Sequence, residues 1–169
     1  MDVNHDILAV GTFQGMLGVF DLDTMSITHT LQLQKSSGIS QLKLTECGQY
    51  MWVSEKNSMC IQCWDLRNMN DVLFTVNRDA STPQRLFFDY LNGILIAGDK
   101  NGMLNKIDLN QSIADPCVTF QSIDNAPVCC ATFNPKYGMI ATAIGERKTT
   151  MDLEQDQSNL IESRIDIWM

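Results

Sequence analysis

Basic residues are scarce in this chain. Twelve Lys and Arg stand against twenty Asp and Glu, giving a formal net charge of −8. That balance excludes a broad polyanion-binding surface, because non-specific nucleic-acid affinity comes mainly from neutralised phosphates. A small local basic site stays open. Histidine is scarcer still, with only His5 and His29. Cys60 and Cys63 form a lone Cys-x-x-Cys. They fall on a strand-like run, where residues three apart point to opposite faces, so no zinc site is expected. The six cysteines (Cys47, Cys60, Cys63, Cys117, Cys129, Cys130) read as reduced, small apolar side chains. A charged-then-apolar leader and an apolar run of membrane-spanning length are both missing, so a soluble, intracellular protein is expected. The signatures of a serine-hydrolase elbow, a Walker loop, a zincin helix and an Asp-rich calcium loop do not occur. "GTFQG" (11–15) has no strand-to-helix context that would make it a phosphate loop. Neither enzyme chemistry nor a cofactor is expected.

What the sequence has is repetition. "GMLGVFDLD" (15–23) returns as "GMLNKIDLN" (102–110), 87 residues on. Halfway between lies "SMCIQCWDLRN" (58–68), and the chain closes on "SRIDIWM" (163–169). Aligned on the last apolar residue before Asp, Phe20, Trp64 and Ile107 are 44 and 43 residues apart. The fourth anchor, Trp168, comes 61 residues later, so that unit holds an insertion of about 18 residues. A period of 40–45 with a Trp-Asp pair marks the four-stranded blades of a WD-repeat β-propeller. Between the anchors run short apolar segments such as "YMWVSE" (50–55) and "ILIAG" (94–98), separated by turn residues.

The predicted architecture is all-β: a partial propeller of about three and a half blades out of an expected seven. The blades span approximately 1–36 (incomplete), 37–79, 80–124 and 125–169, with the insertion at 146–163. The first is read as starting at its second strand, "DILAVGT" (6–12), without a preceding partner. The last has no strand after Trp168. Open edges of this kind invite association, with a missing propeller half or with another copy. No Gly-His precedes a blade, and Gln14, Asn57 and Asn101 stand where strong blades carry a turn Asp. The buried hydrogen-bond network of strong WD blades is therefore expected to be absent or partial.

Several stretches together resemble the telomerase Cajal body protein 1 family. They are "CWDLR" (63–67), "QRLFFD" (84–89) and "ATAIGER" (141–147), with the acidic insertion and the closing "SRIDIWM" following in the same order. The likeness runs across nearly the whole chain. It implies a nuclear scaffold that binds a loop element of small Cajal body RNAs and of telomerase RNA, directs them to Cajal bodies and supports telomere maintenance. It also implies protein partners within the ribonucleoprotein. The alternative reading is a generic protein–protein adaptor without an RNA role, which the acidity favours.

RNA readers hold unstacked bases on aromatics or Arg planes and clamp phosphates with Lys or Arg. The candidates here are Arg67, Arg85, Arg147 and Lys148. Arg67 either meets a ligand at a blade rim, or caps a turn or pairs with Asp71. Arg85, directly before "LFFDY", either meets RNA or a partner, or pairs with Asp79 or Asp89. Arg147 and Lys148 open the insertion, which is either a partner-binding loop or a solvated one. Trp52, Trp64 and Trp168 are expected in the core or between blades.

Overall fold

The computed structural model describes residues 1–34, 36–109, 118–121, 125–145 and 163–168. Fifteen strands run among them. They are β1 (Asp2–Asn4), β2 (Ile7–Gly11), β3 (Met16–Asp21), β4 (Ser26–Gln32), β5 (Ile39–Leu44), β6 (Tyr50–Glu55), β7 (Cys60–Asp65), β8 (Phe74–Asn77), β9 (Phe88–Leu91), β10 (Ile94–Gly98), β11 (Met103–Asp108), β12 (Val118–Gln121), β13 (Val128–Asn134), β14 (Met139–Ile144) and β15 (Arg164–Trp168). Each sheet is a meander in chain order: β1–β4, β5–β8, β9–β12 and β13–β15. The anchors Phe20, Trp64, Ile107 and Trp168 lie on β3, β7, β11 and β15, the third strand of every sheet.

The first sheet has four strands, which corrects the expected start at a second strand. Asp2–Asn4 pairs antiparallel with β2, Asn4 opposite Ile7 across the two-residue turn His5-Asp6. The sequence reading missed it because three residues are too short for a period-2 pattern to register. The third sheet also starts later than expected, at Phe88, so Arg85 lies in the connector and not at the strand's edge.

Two compact units divide the chain: Met1–Arg85 with Tyr90–Asn92, and Leu86–Asp89 with Gly93–Met169. In the first, one face of sheet 1 packs on sheet 2. Ala9, Leu17 and Val19 meet Leu42, Leu44, Met51, Val53 and Trp64 in one buried cluster. In the second, Ile96 and Leu104 of sheet 3 meet Val128, Ala131 and Ile144 of sheet 4.

The two units repeat each other at an offset of 87 residues. Gly15 and Gly102 close the same turn at φ +79° and +82°, a region that glycine enters without a Cβ clash. Thr12 N donates to Met16 O at 2.9 Å, and Asp99 N donates to Met103 O at 2.9 Å. Leu22 N donates to Asp6 O at 2.7 Å, and Leu109 N to Gly93 O at 2.8 Å. The joint between sheets repeats too. Ile39 N donates to Thr12 O and Val128 N to Asp99 O, both at 3.0 Å. Gly11 and Gly98 sit where a Cβ would strike Ile39 and Val128 respectively. The Leu22–Asp6 bond also has its match in sheet 2, where Leu66 N donates to Gln49 O at 2.9 Å, so that bond recurs with every blade.

The network of strong WD blades is present in part. Trp168 Nε1 donates to Thr142 Oγ1 at 3.1 Å in sheet 4. In sheet 3 the turn carboxylate is Asp99, not a group at the expected Asn101; its Oδ1 accepts from Asn101 N at 2.9 Å and Met103 N at 2.8 Å. In sheet 2, Arg78 is 3% exposed and donates through Nη2 to Ser54 Oγ at 2.8 Å.

Candidate nucleic-acid interface

Four segments converge at one end of sheets 1 and 2, here called the upper rim. They are the β2–β3 turn (12–15), the β6–β7 turn (56–59), and two connectors (33–34 with 36–38, and 78–85). Backbone hydrogen bonds lock them together. Leu33 N donates to Gly15 O at 2.9 Å, Ile39 N to Thr12 O at 3.0 Å and Lys56 N to Gly38 O at 2.9 Å. Arg78 N donates to Met59 O at 2.9 Å and Ala80 N to Ser58 O at 3.0 Å, which ties the second connector to the β6–β7 turn. The buried Arg78–Ser54 contact holds the root of that connector.

The outcome is an aromatic ring with two cations close to it. Phe13, at the tip of the β2–β3 turn, is 61% exposed. Lys56 Nζ lies 4.0 Å from its ring centroid and Arg85 Cζ 5.6 Å. Turn tips ordinarily carry small or polar residues, so a phenylalanine there is out of place on folding grounds. Cation–π attraction at an exposed site gives about 0.5–1 kcal/mol per pair, enough to bias both cations toward the ring. Chemically the cluster offers a flat π surface and two phosphate-binding groups within one loop set.

Of the sequence candidates, Arg85 belongs to this cluster, and its ring partner stands in place of the expected Asp79 or Asp89 pairing. Arg67 does not belong to it. It follows β7 at the opposite end of sheet 2, on the lower rim, with the six-residue strand between. Its guanidinium grips Asp65, Nε to Oδ1 at 2.9 Å and Nη2 to Oδ2 at 2.7 Å, and lies 5.6 Å from the Tyr50 ring. The expected partner was Asp71; the nearer carboxylate is supplied by the Trp-Asp pair itself. That grip holds the Asp65 carboxyl at about 2, with the Arg67 side-chain hydrogen bond as the main cause. Arg147 and Lys148 lie outside the described residues.

Phe13 and Lys56 were missed by the sequence reading. The available signal was the aromatic in "GTFQG", a stretch weighed only as a phosphate loop. Cys60 and Cys63 are separated as the strand period requires. Cys63 is buried, which pushes its thiol up to about 12, and Cys60 sits on the other face of β7.

No family model matches the chain. Curated relatives do. The telomerase Cajal body protein 1 homolog of Drosophila melanogaster is 31% identical over 150 residues, covering 82% of this chain and 26% of its own length. Telomerase Cajal body protein 1 of Mesocricetus auratus is 26% identical over 154 residues, covering 85% of this chain and 28% of its own. The chain therefore spans about a quarter of the length of these relatives. Among solved structures, a chain of the mitotic checkpoint complex aligns with TM-score 0.65 at 18% identity, over 85% of this chain and 45% of that one. This last likeness speaks for the fold, a partial WD-repeat propeller. Taken with the co-linear relatives, the meandering four-stranded sheets make this chain a telomerase Cajal body protein 1-like member of the WD-repeat family.

Proposed function

We propose that the chain is the recognition part of a non-enzymatic RNA–protein scaffold, acting in the nucleus at Cajal bodies on small Cajal body RNAs and telomerase RNA. The observation that carries this reading is the upper-rim cluster: an exposed Phe13 with Lys56 and Arg85 within 6 Å of its ring. Sequence-specific RNA binding targets unstacked loop bases, and each base stacked on an aromatic contributes about 1–3 kcal/mol. A loop base takes one face of Phe13 and displaces a cation from it. The displaced Lys56 or Arg85 then meets the adjoining phosphate. Two local cations suffice for a loop of a few nucleotides, so the net charge of −8 excludes only extended duplex binding. Arg67, on the lower rim, and Arg147 and Lys148, in the insertion, serve protein partners of the ribonucleoprotein in this reading.

The test is binding of the protein to a small Cajal body RNA hairpin and to the same hairpin with an altered loop, across a salt series. The proposal expects tighter binding to the native loop and a shallow salt slope, on the order of two counterions. Equal, weak binding to both hairpins would overturn it. The second reading, a protein–protein adaptor without RNA, is favoured by the acidity and would be supported by that same result.

A further inference from the structure

The connector that carries Arg85 reads "RDASTPQR" (78–85). Of the four prolines in the chain, Pro83 alone follows a Ser or Thr. Arg85 stands three residues after Thr82. A hydroxyl residue, then proline, then a basic residue at the third position is the pattern that proline-directed protein kinases take as substrate. Proline has no N–H, so a kinase pocket that offers no acceptor after the hydroxyl leaves every other residue with an unpaired donor. The basic residue pairs with an acidic one further along the groove.

The structure leaves this stretch accessible. Residues 78–85 lie outside the flanking strands β8 and β9, and 82–84 form a bend. Ser81, Pro83 and Arg85 are exposed, and Thr82 is half-buried. Two of the bonds that shape the bend are local. Thr82 N donates to Ala80 O at 2.8 Å, and Gln84 N donates to Thr82 Oγ1 at 3.2 Å. Opening them breaks no sheet ladder, and opening of this kind lies at the low-energy end of protein motion. Thr82 Oγ1 is the acceptor in its bond, which leaves the hydroxyl proton out of it. The neighbouring Ser81 hydroxyl is turned onto Asp79 Oδ1 at 2.6 Å. The root of the connector stays fixed, with Ala80 N on Ser58 O at 3.0 Å and Arg78 on Ser54.

We propose that Thr82 is a phosphorylation site whose phosphate takes Arg85 from Phe13 and so closes the upper-rim RNA site. The closing half rests on the RNA reading; the capture of Arg85 does not. The kinase moves the γ-phosphoryl group of ATP onto Thr82 Oγ1. The bond from the γ-phosphorus to its bridging oxygen breaks and a P–O bond to Oγ1 forms. ADP leaves with the electron pair of the broken bond, and the hydroxyl proton goes to the kinase's base. The phosphate carries about −1.5 to −2 charges at pH 7. Arg85 lies three residues on, across the bend, with its guanidinium 5.6 Å from the Phe13 ring. A guanidinium–phosphate fork is stronger than an exposed cation–π contact, so the arginine moves to the phosphate. The added charge offsets Lys56 and Arg85 almost fully, and an RNA phosphate loses its counterpart at the rim.

The whole chain, incubated with a purified cyclin-dependent kinase of the proline-directed class, ATP and magnesium, tests this by peptide mass spectrometry. A phosphate on Thr82 is expected. Pro83→Ala, which keeps the acceptor hydroxyl, should cut its incorporation at least tenfold, and Thr82→Ser should still be modified. Followed by phosphorus NMR, the second ionisation of the phosphate should fall below its ordinary value of about 6 and return toward it in Arg85→Gln. The native-loop hairpin should bind the phosphorylated protein at least tenfold more weakly than the unmodified protein, with a flatter salt slope. An unmodified Thr82, incorporation indifferent to Pro83→Ala, or a phosphate ionisation indifferent to Arg85→Gln would each overturn the proposal. So would undiminished hairpin binding after phosphorylation. If the unmodified protein fails to bind the hairpin, the closing half falls with the RNA reading, while the mass spectra and the phosphorus titration still decide the site and its hold on Arg85.

Discussion

The Asp2 carboxylate accepts a hydrogen bond from the Leu44 backbone amide at 2.7 Å, joining the innermost strand of sheet 1 to that of sheet 2. Asp89, 87 residues on, does the same for Phe133 N at 3.0 Å in the second unit, and takes Thr132 Oγ1 at 2.9 Å as well. The same carboxylate latch thus joins the two sheets within each unit. Hydrogen bonds to charged groups contribute about 1.5–3 kcal/mol each at partly buried sites. Asp89→Ala should lower stability by that order in chemical denaturation, and Asp89→Asn, which keeps an acceptor oxygen, by less. Equal losses for the two variants would show that the charge and geometry of the latch are irrelevant.

Replacing Phe13 with Ala should weaken binding of the native-loop hairpin by about 5- to 150-fold, the equivalent of one lost stacked base. The melting temperature should barely move, because the ring is 61% exposed. Phe13→Trp should retain binding. Lys56→Ala or Arg85→Ala should each reduce the slope of log K against log salt by about 1. Fluorescence anisotropy over a salt series reads all four variants.

Gly98 packs against Val128, and an added Cβ would run into the valine's backbone oxygen and side chain. Backbone cannot swing aside as a flexible side-chain tip can. Gly98→Ala should cost about 1–3 kcal/mol by overpacking. Gly11→Ala meets the Ile39 side chain, with Cγ2 at 2.6 Å, and should cost less because a side chain can shift. A denaturant series on the two variants gives the order.

The Asp65 carboxyl, held at about 2 by Arg67, should titrate well below an ordinary Asp near 3.9. Its folded value is depressed. Any stability it contributes is therefore present above the unfolded value and lost as pH falls toward 2. Arg67 is exposed and Asp65 half-buried at the surface, so water screens the pair and the contribution itself is small. Arg67→Ala should return the carboxyl toward the ordinary range, which side-chain NMR titration would follow.

Thiol labelling should be ordered by environment. Cys47 is exposed and its thiol is lowered by the Thr45 hydroxyl contact at 3.3 Å. Cys63 is buried and raised to about 12. Since the thiolate is the reactive form, an alkylating reagent near neutral pH should modify Cys47 in the folded protein and Cys63 only on unfolding. Peptide mass spectrometry over a time course would show the order.

The blade period and the third-strand anchors were readable from the sequence because an apolar residue before Asp at a fixed interval is a local signal. The separation of Cys60 from Cys63 was readable for a similar reason, the two-residue period of a strand. Arg85 was readable as a candidate because few cations compete with it. Its partner was not: Phe13 lies 72 residues earlier and reaches Arg85 only because two turns and two connectors meet at one rim. Asp65 outcompeted Asp71 for Arg67 because a residue two positions away, at the end of the same strand, presents both carboxylate oxygens to one guanidinium. The sequence by itself determined that the chain is all-β, repeats with each blade at spacings of 44 and 43 residues and has cations enough for one small site, since composition and spacing are properties of the chain alone. The tertiary structure alone decided which residues share a rim and which carboxylates join neighbouring sheets, because those depend on contacts between residues about 40 to 70 positions apart.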